Sequence, residues 1–475
     1  MSARQRTATL DLHLDVDLGL RRGRGEQLVA ALRRAIETGR LLPGTRLPST
    51  RSAALDLGVA RGTVVSAYRH LTAEGHLESL PGSGTRVARP VREPDPAPGP
   101  GTGTGAGPGT PWRHNLKPGM PDVTLFPRAA WVKATQRVLN TAPAEALDYG
   151  DPRGRPELRR ALADYLGRSR GVVTRPDRIV ICHGFTQALG LIATVLAEQG
   201  VGTVSVENPS YLHFRDVLQR AGLHTHPVGV DGDGLLPGEL RGRAAFVTPI
   251  HQYPRGVALS AERRRALVSW AEAVDAVVVE DDYDGEFQYG RHRVGALQAM
   301  APHRVIYAGT TSKTLAPGLR LAWLVVPGEW VERITAAKRM ADQHSAALTQ
   351  MIVADLLLSG AYDRHIRQCR DHYRTRRDQL SAGLAAHVPG ARLVGANAGL
   401  HALIRWSPEG PTEREVLRAA RTQSLALSGL GGYWATPGPH PPGLVVGYAT
   451  PPRHAYAAAL ETLLSVLTRC FTPTA

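Results

Sequence analysis

Lysine is nearly missing from this chain: Lys117, Lys133, Lys313 and Lys338 are the only four among 57 Lys and Arg residues. Cysteine is as scarce. Cys182, Cys369 and Cys470 are widely spaced and odd in number, which argues against a disulfide framework and a cysteine zinc site, so no metal is expected. A reducing cytoplasm is the simplest setting for such usage. Long apolar stretches are lacking too. No run of eighteen or more apolar residues occurs, so no transmembrane helix is expected. Residues 1–20 alternate Asp with Leu and lack the basic-then-apolar order of a secretory signal. No internal repeat is visible, which sets repeat architectures aside.

What is present reads as a multidomain globular chain. At 475 residues, with 43% hydrophobic and 21% charged residues, it is long enough for two or three domains with a full core. The net charge is +15, which suits a polyanionic partner without naming it. Residues 1–90 hold fourteen arginines against eight acids, so the head carries a disproportionate share of that charge. Residues 89–111 are mostly Pro, Gly and small polar residues and cannot repay the entropy of ordering. They are expected to be a linker between a head, 1–88, and a body, 112–475.

In the head, apolar residues at Leu28, Ala31, Leu32, Ala35 and Ile36 have helical spacing. Ser49 or Thr50 is placed to cap a second helix broken at Gly58, and a third is expected from about Arg61 to Glu74. Leu77–Leu80 and Thr85–Val87 read as two strands joined through Pro81-Gly82-Ser83-Gly84. These are the proportions of a helix-turn-helix whose later helix enters a major groove by its N-terminal residues. The runs Leu42-Pro43-Gly44-Thr45-Arg46-Leu47-Pro48-Ser49-Thr50-Arg51 and Leu57-Gly58-Val59-Ala60-Arg61-Gly62-Thr63-Val64 resemble the winged-helix head of the GntR family. That resemblance implies a small α+β domain that binds double-stranded operator DNA. It implies DNA contacts by Arg51, Arg61 and Thr63, with Gly82 and Gly84 in the wing.

The body alternates short apolar runs, such as Thr203–Glu207 and Ala276–Glu280, with helix-like stretches. An α/β fold around a mainly parallel sheet is expected, with ligands gathering beyond the strand ends. A smaller C-terminal subdomain is expected from about residue 364. Among the lysines, Lys313 stands in Gly309-Thr310-Thr311-Ser312-Lys313-Thr314-Leu315. Where arginine has replaced lysine almost everywhere, a retained amine points to chemistry a guanidinium cannot perform, and Lys313 is the first candidate for a Schiff base. Thr310, Ser312 and Arg320 offer a grip for a phosphate. Acids close the strand Val277-Val278-Val279-Glu280-Asp281-Asp282, with Tyr283 just beyond; an aspartate there would keep a pyridine nitrogen protonated.

With Tyr149-Gly150-Asp151-Pro152, Gly184-Phe185-Thr186-Gln187, Glu207-Asn208-Pro209-Ser210-Tyr211 and Thr248-Pro249-Ile250-His251-Gln252-Tyr253-Pro254, the body resembles the class I/II aminotransferases of PLP fold type I. The whole chain resembles the MocR-type regulators. This implies pyridoxal 5'-phosphate (PLP) on Lys313, Asp281 at the pyridine nitrogen and Tyr283 at the ring oxygen. It implies stacking by Tyr211 and a phosphate held by Gly184, Phe185, Thr186, Thr310, Ser312 and Arg320. It also implies a homodimer in which Tyr149 reaches the neighbouring subunit's phosphate. Enzymes of this fold grip the substrate carboxylate with an arginine on a late strand. Here Val445 stands in its place, and no arginine lies between Tyr433 and Thr450. Arg405, Arg215 and His213 are the substitutes available. A sensor of PLP, or of an amine or amino-acid effector, is therefore expected rather than an efficient transaminase; the alternative is a working aminotransferase with an accessory DNA-binding head.

Overall fold

A computed structural model describes residues 23–80, 84–88, 112–290 and 293–472. The expected linker at 89–111 and the wing residue Gly82 lie outside the described residues. The chain forms two compact units, 1–109 and 110–475.

The first unit holds α1 (Arg24–Glu37), α2 (Thr50–Asp56), α3 (Arg61–Ala73) and the antiparallel pair β1 (Leu77–Leu80) and β2 (Gly84–Val87). Ser49 caps α2 by accepting a hydrogen bond from the Ser52 amide at 3.1 Å. Gly58, at φ 60°, makes the left-handed turn between α2 and α3 that a residue with a Cβ adopts only at a cost. The apolar stripe foreseen on α1 supplies Leu28 and Leu32 to a core shared with Val64, Leu71, Leu77 and Val87. The buried Tyr68 hydroxyl donates to the Pro48 carbonyl at 3.1 Å, tying α3 to the entry of α2.

In the second unit the chain runs through β3 (His114–Asn115), α4 (Arg128–Thr141), α5 (Pro156–Arg170), β4 (Ile179–Cys182), α6 (Phe185–Glu198), β5 (Thr203–Asn208) and α7 (Leu212–Arg220). It continues through β6 (His224–Asp231), β7 (Gly234–Leu235), β8 (Ala244–Val247), α8 (Ala261–Ala273), β9 (Val277–Asp281), β10 (Val305–Thr310) and β11 (Ala322–Val325). The helices α9 (Val331–Asp342), α10 (Ala347–Leu358) and α11 (Ala361–His387) lead to β12 (Ala391–Val394) and β13 (Ala402–Trp406). Last come α12 (Glu413–Thr422), β14 (Leu425–Ala426), β15 (Ser428–Gly429), β16 (Gly443–Val446) and α13 (Tyr456–Phe471).

Eight strands form one sheet in the order β4-β11-β10-β9-β8-β5-β6-β7. The contiguous run from β10 to β6 is parallel, and β11 is antiparallel to both its neighbours. Strand alternation feeds cores on both faces: Ile179 and Ile181 join one hydrophobic cluster, Val180 and Cys182 another. A second sheet, β12-β13-β16-β15, buries Ile404, Leu444 and Val446 in a cluster shared with Leu380 of α11 and Leu463 of α13. Residue 364, where a smaller subdomain was expected to begin, lies inside the continuous helix α11. Among the described residues no helix is long and apolar enough to cross a membrane.

Candidate functional site

The parallel strands β5, β8, β9 and β10 all end on one side of the sheet. Beyond those ends lies a cavity of about 460 Å³. Asp281 is the last residue of β9 and pairs in register with Ala308 of β10. Two residues past Ala308, β10 ends at Thr310 and the chain turns through Ser312 and Lys313. Asp281, Tyr283, Thr310, Ser312, Lys313 and Arg320 all line the cavity.

The amine and the acid are tuned against each other. Burial pushes the Lys313 amine below its ordinary pKa, while Asp281 and Asp284 oppose that shift. Burial pushes the Asp281 carboxyl well above its ordinary value, and the Lys313 ammonium opposes it. Lys313 Nζ donates to the Gly119 carbonyl at 2.6 Å, which aims the side chain. Tyr283 donates its hydroxyl proton to the His251 carbonyl at 2.8 Å. Its oxygen also lies 3.2 Å from His251 Nδ1.

Elsewhere on the cavity wall, α6 begins without a side-chain cap. Its first intrahelical bond is Ala188 N–H to the Gly184 carbonyl, so the first-turn N–H groups of Phe185, Thr186 and Gln187 have no helical acceptor. Phe185 and Thr186 line the cavity. Gly184 has φ 102°, and a Cβ there would lie 2.6 Å from Arg320 Nη2. Only glycine lets the guanidinium lie against this turn. Arg320 itself has φ 49°, strained backbone for a residue with a side chain. The Thr310 hydroxyl donates to Ser312 Oγ at 3.0 Å and accepts from the Ser312 amide at 3.1 Å, gathering two hydroxyls beside the same wall. Uncapped N–H groups, a guanidinium and two hydroxyls are chemically suited to hold a phosphate.

Tyr211 also lines the cavity. Tyr149 does not: it is 83% exposed and packs edge-on against His344. In the head, Arg51 and Arg61 are exposed and Thr63 half-exposed at the starts of α2 and α3, and Gly84 opens β2 at φ 85°. Of the three substitutes for a carboxylate grip, Arg215 lines the cavity, and Arg405 and His213 do not. Arg215 is bonded to Thr225 Oγ1 at 3.2 Å. Val445 is fully buried against Leu403 and Leu430.

Three lining residues had no role assigned from sequence. Glu207 is pushed up to about 7 by burial and accepts from Thr248 Oγ1 at 2.6 Å. The Tyr253 and Tyr433 hydroxyls are hydrogen-bonded at 3.2 Å, so Tyr253 ties the body sheet to the segment after β15. His401, just before β13, is buried, and its Nε2 has no hydrogen-bond partner. Glu207 and Tyr253 stand inside motifs that could have flagged them; His401 stands in an apolar run that gives no signal.

Two family models match this chain: bacterial regulatory proteins of the gntR family over residues 24–87, and aminotransferase class I and II over residues 116–440. The chain is 34% identical over 430 residues to the HTH-type pyridoxine biosynthesis transcriptional regulator PdxR of Corynebacterium glutamicum, covering 89% of this chain and 91% of that one. It is 34% identical to the probable rhizopine catabolism regulatory protein MocR of Rhizobium meliloti, covering 93% and 92%. Among solved structures it is similar to an archaeal alanine:glyoxylate aminotransferase, with TM-score 0.69 and 26% identity over 75% of this chain and 91% of the other. It is also similar to LysN, the α-aminoadipate aminotransferase of Thermus thermophilus, with TM-score 0.67 and 27% identity over 75% and 92%.

Proposed function

The chain belongs to the transcriptional regulators that join a gntR-family helix-turn-helix head to an aminotransferase class I and II body, and we propose that it reads, through Lys313, the state of a bound PLP and any amine that reaches it. The observation that carries this reading is the cavity itself. A half-buried amine and a half-buried aspartate line one space together with an uncapped helix start backed by a guanidinium. PLP supplies an aldehyde for the amine, a pyridine nitrogen for the acid and a phosphate for the cradle. In this reading Lys313 would hold the aldehyde carbon, Asp281 would keep a proton on the ring nitrogen, Tyr211 would stack on the ring and Tyr283 would meet the ring oxygen. Gly184, Phe185, Thr186, Thr310, Ser312 and Arg320 hold the phosphate.

An effector amine that entered the cavity would compete with Lys313 for the aldehyde PLP would supply, and a lysine so released would bias the balance between two arrangements of the body. The second half of the site comes from another copy of the chain. Exposed apolar residues on and beside α4, namely Val132, Leu139, Leu147 and Tyr149, support a homodimer to which Tyr149 contributes. The head spans 1–88, and 89–111 tethers it in a cytoplasmic protein. Gel shifts with the intergenic DNA upstream of the gene test the reading: PLP is expected to change the affinity, and equal affinity with and without it sinks the sensing role.

At the head, Arg61 opens α3 and is exposed, placed to make paired hydrogen bonds to a guanine. Arg61→Ala is expected to weaken operator binding by about tenfold or more, from the ~1–3 kcal/mol such a contact is worth. PLP retention should stay unchanged. A loss under twofold in the same gel shift removes Arg61 from the reading surface.

A second reading, an aminotransferase with an accessory head, is favoured by the complete cofactor set and disfavoured by Val445. Sustained turnover of amino acids with 2-oxoglutarate would establish it.

A further inference from the structure

Lys338 is the one lysine other than Lys313 that is not exposed, and its side chain is 0% accessible. Nothing in the proposed function uses it. Its Nζ donates to both oxygens of Asp342 one helical turn on, at 2.6 and 2.7 Å. Asp342 in turn accepts from Gln187 Nε2 at 2.7 Å, and His183 Nε2 lies 3.2 Å from the same carboxylate oxygen. Gln187 Oε1 accepts from the His183 backbone amide at 2.7 Å. These last two residues bracket the start of α6: His183 precedes Gly184, and Gln187 is the third residue of the helix. One ion pair, its lysine fully enclosed and its aspartate half-buried, thus grips both sides of the turn read as the phosphate cradle.

The charges matter as much as the bonds. Asp342 ends α9, where the helix dipole disfavours a carboxylate, and without Lys338 its negative charge would sit directly behind the cradle. We propose that the Lys338–Asp342 pair is a positioning device for phosphate recognition, fixing the first turn of α6 through Gln187 and His183 and cancelling a charge that would repel the bound phosphate. This rests on the reading of that corner as a phosphate site. It also explains why this buried position keeps lysine in an arginine-rich chain: the compact ammonium meets both oxygens of a carboxylate one turn away without the breadth of a guanidinium.

The test compares PLP with pyridoxal, which lacks the phosphate, by equilibrium dialysis against the full chain. Wild type should prefer PLP. Lys338→Met leaves Asp342 uncompensated and should cut that preference by about tenfold or more, since a unit charge and a dianion at an effective dielectric of about 20 repel by more than the ~1.4 kcal/mol of a tenfold change even at roughly 20 Å. Pyridoxal binding should stay unchanged. Asp342→Asn leaves a positive charge and should hold or raise the preference, and the Lys338→Met/Asp342→Asn double variant should regain most of it. If both single variants lower PLP and pyridoxal binding together, or if the double variant binds no better than Lys338→Met, the pair is merely structural and the proposal is overturned. If wild type shows no preference for PLP over pyridoxal, the cradle itself is misread and both fall.

Discussion

Lys313→Ala should yield a colourless protein that still binds its operator. The side chain is the only amine among the described residues that lines the cavity, and burial lowers its pKa so that more of it carries a free lone pair than an exposed lysine would. The other three lysines are accounted for: Lys117 and Lys133 are exposed, and Lys338 is bonded to both oxygens of Asp342. Borohydride trapping of the wild type with PLP, followed by peptide mass spectrometry, should place the pyridoxyl group on Lys313 alone. In the variant the covalent fraction should fall to nothing. Weak reversible binding should survive, because Arg320 and the start of α6 remain. Lys313→Arg should fail equally, since a guanidinium keeps its proton and cannot condense. Basal DNA affinity should hold, because the head has its own core built from Leu28, Leu32, Val64 and Leu71. A visible band that persists in Lys313→Ala, or label on another lysine, would refute the assignment.

The acidic run closing β9 shows how far sequence carries and where it stops. A strand end rich in acids was legible, and the alternation of strand side chains separates Asp281 from its neighbours. What the neighbours do was not legible, because their partners come from remote parts of the chain. Glu280 accepts the Leu297 and Gln298 amides at 2.8 and 2.9 Å, Asp282 meets Arg170, and Asp284 meets His251. The strand β6 escaped notice for a different reason. His224-Thr225-His226-Pro227 has neither the apolar run nor the alternation that marks a strand, and its place is secured by six register pairs with β5. His401 reaches the cavity only because the small sheet folds against the large one, a contact no spacing encodes. Lys338 and Asp342, four apart, read as an ordinary surface pair until burial shows otherwise.

The largest stability effect is expected one residue away from Asp281. Asp282→Asn should destabilise the body by about 3–5 kcal/mol, the usual cost of removing one partner from a buried ion pair. The Arg170 and Asp282 side chains are 2% and 1% exposed, with Nε to Oδ2 at 2.7 Å. The Tyr307 hydroxyl donates to the same oxygen at 2.8 Å. Neutralising the acid removes the charge that balances a guanidinium enclosed beside β9, whose Nη1 otherwise meets only the uncharged Val294 carbonyl at 3.2 Å. Asp281→Asn, by contrast, removes a carboxylate that burial already holds towards its neutral form, so its cost to folding should stay under about 1 kcal/mol while PLP retention suffers. Denaturant titration followed by tryptophan fluorescence separates the two cleanly, because all seven tryptophans lie beyond residue 111 and report the body alone. Equal destabilisation by the two substitutions, or less than about 1 kcal/mol for Asp282→Asn, would mean that the Arg170 pair does not hold β9 in place, and that the aim of Asp281 into the cavity has some other origin.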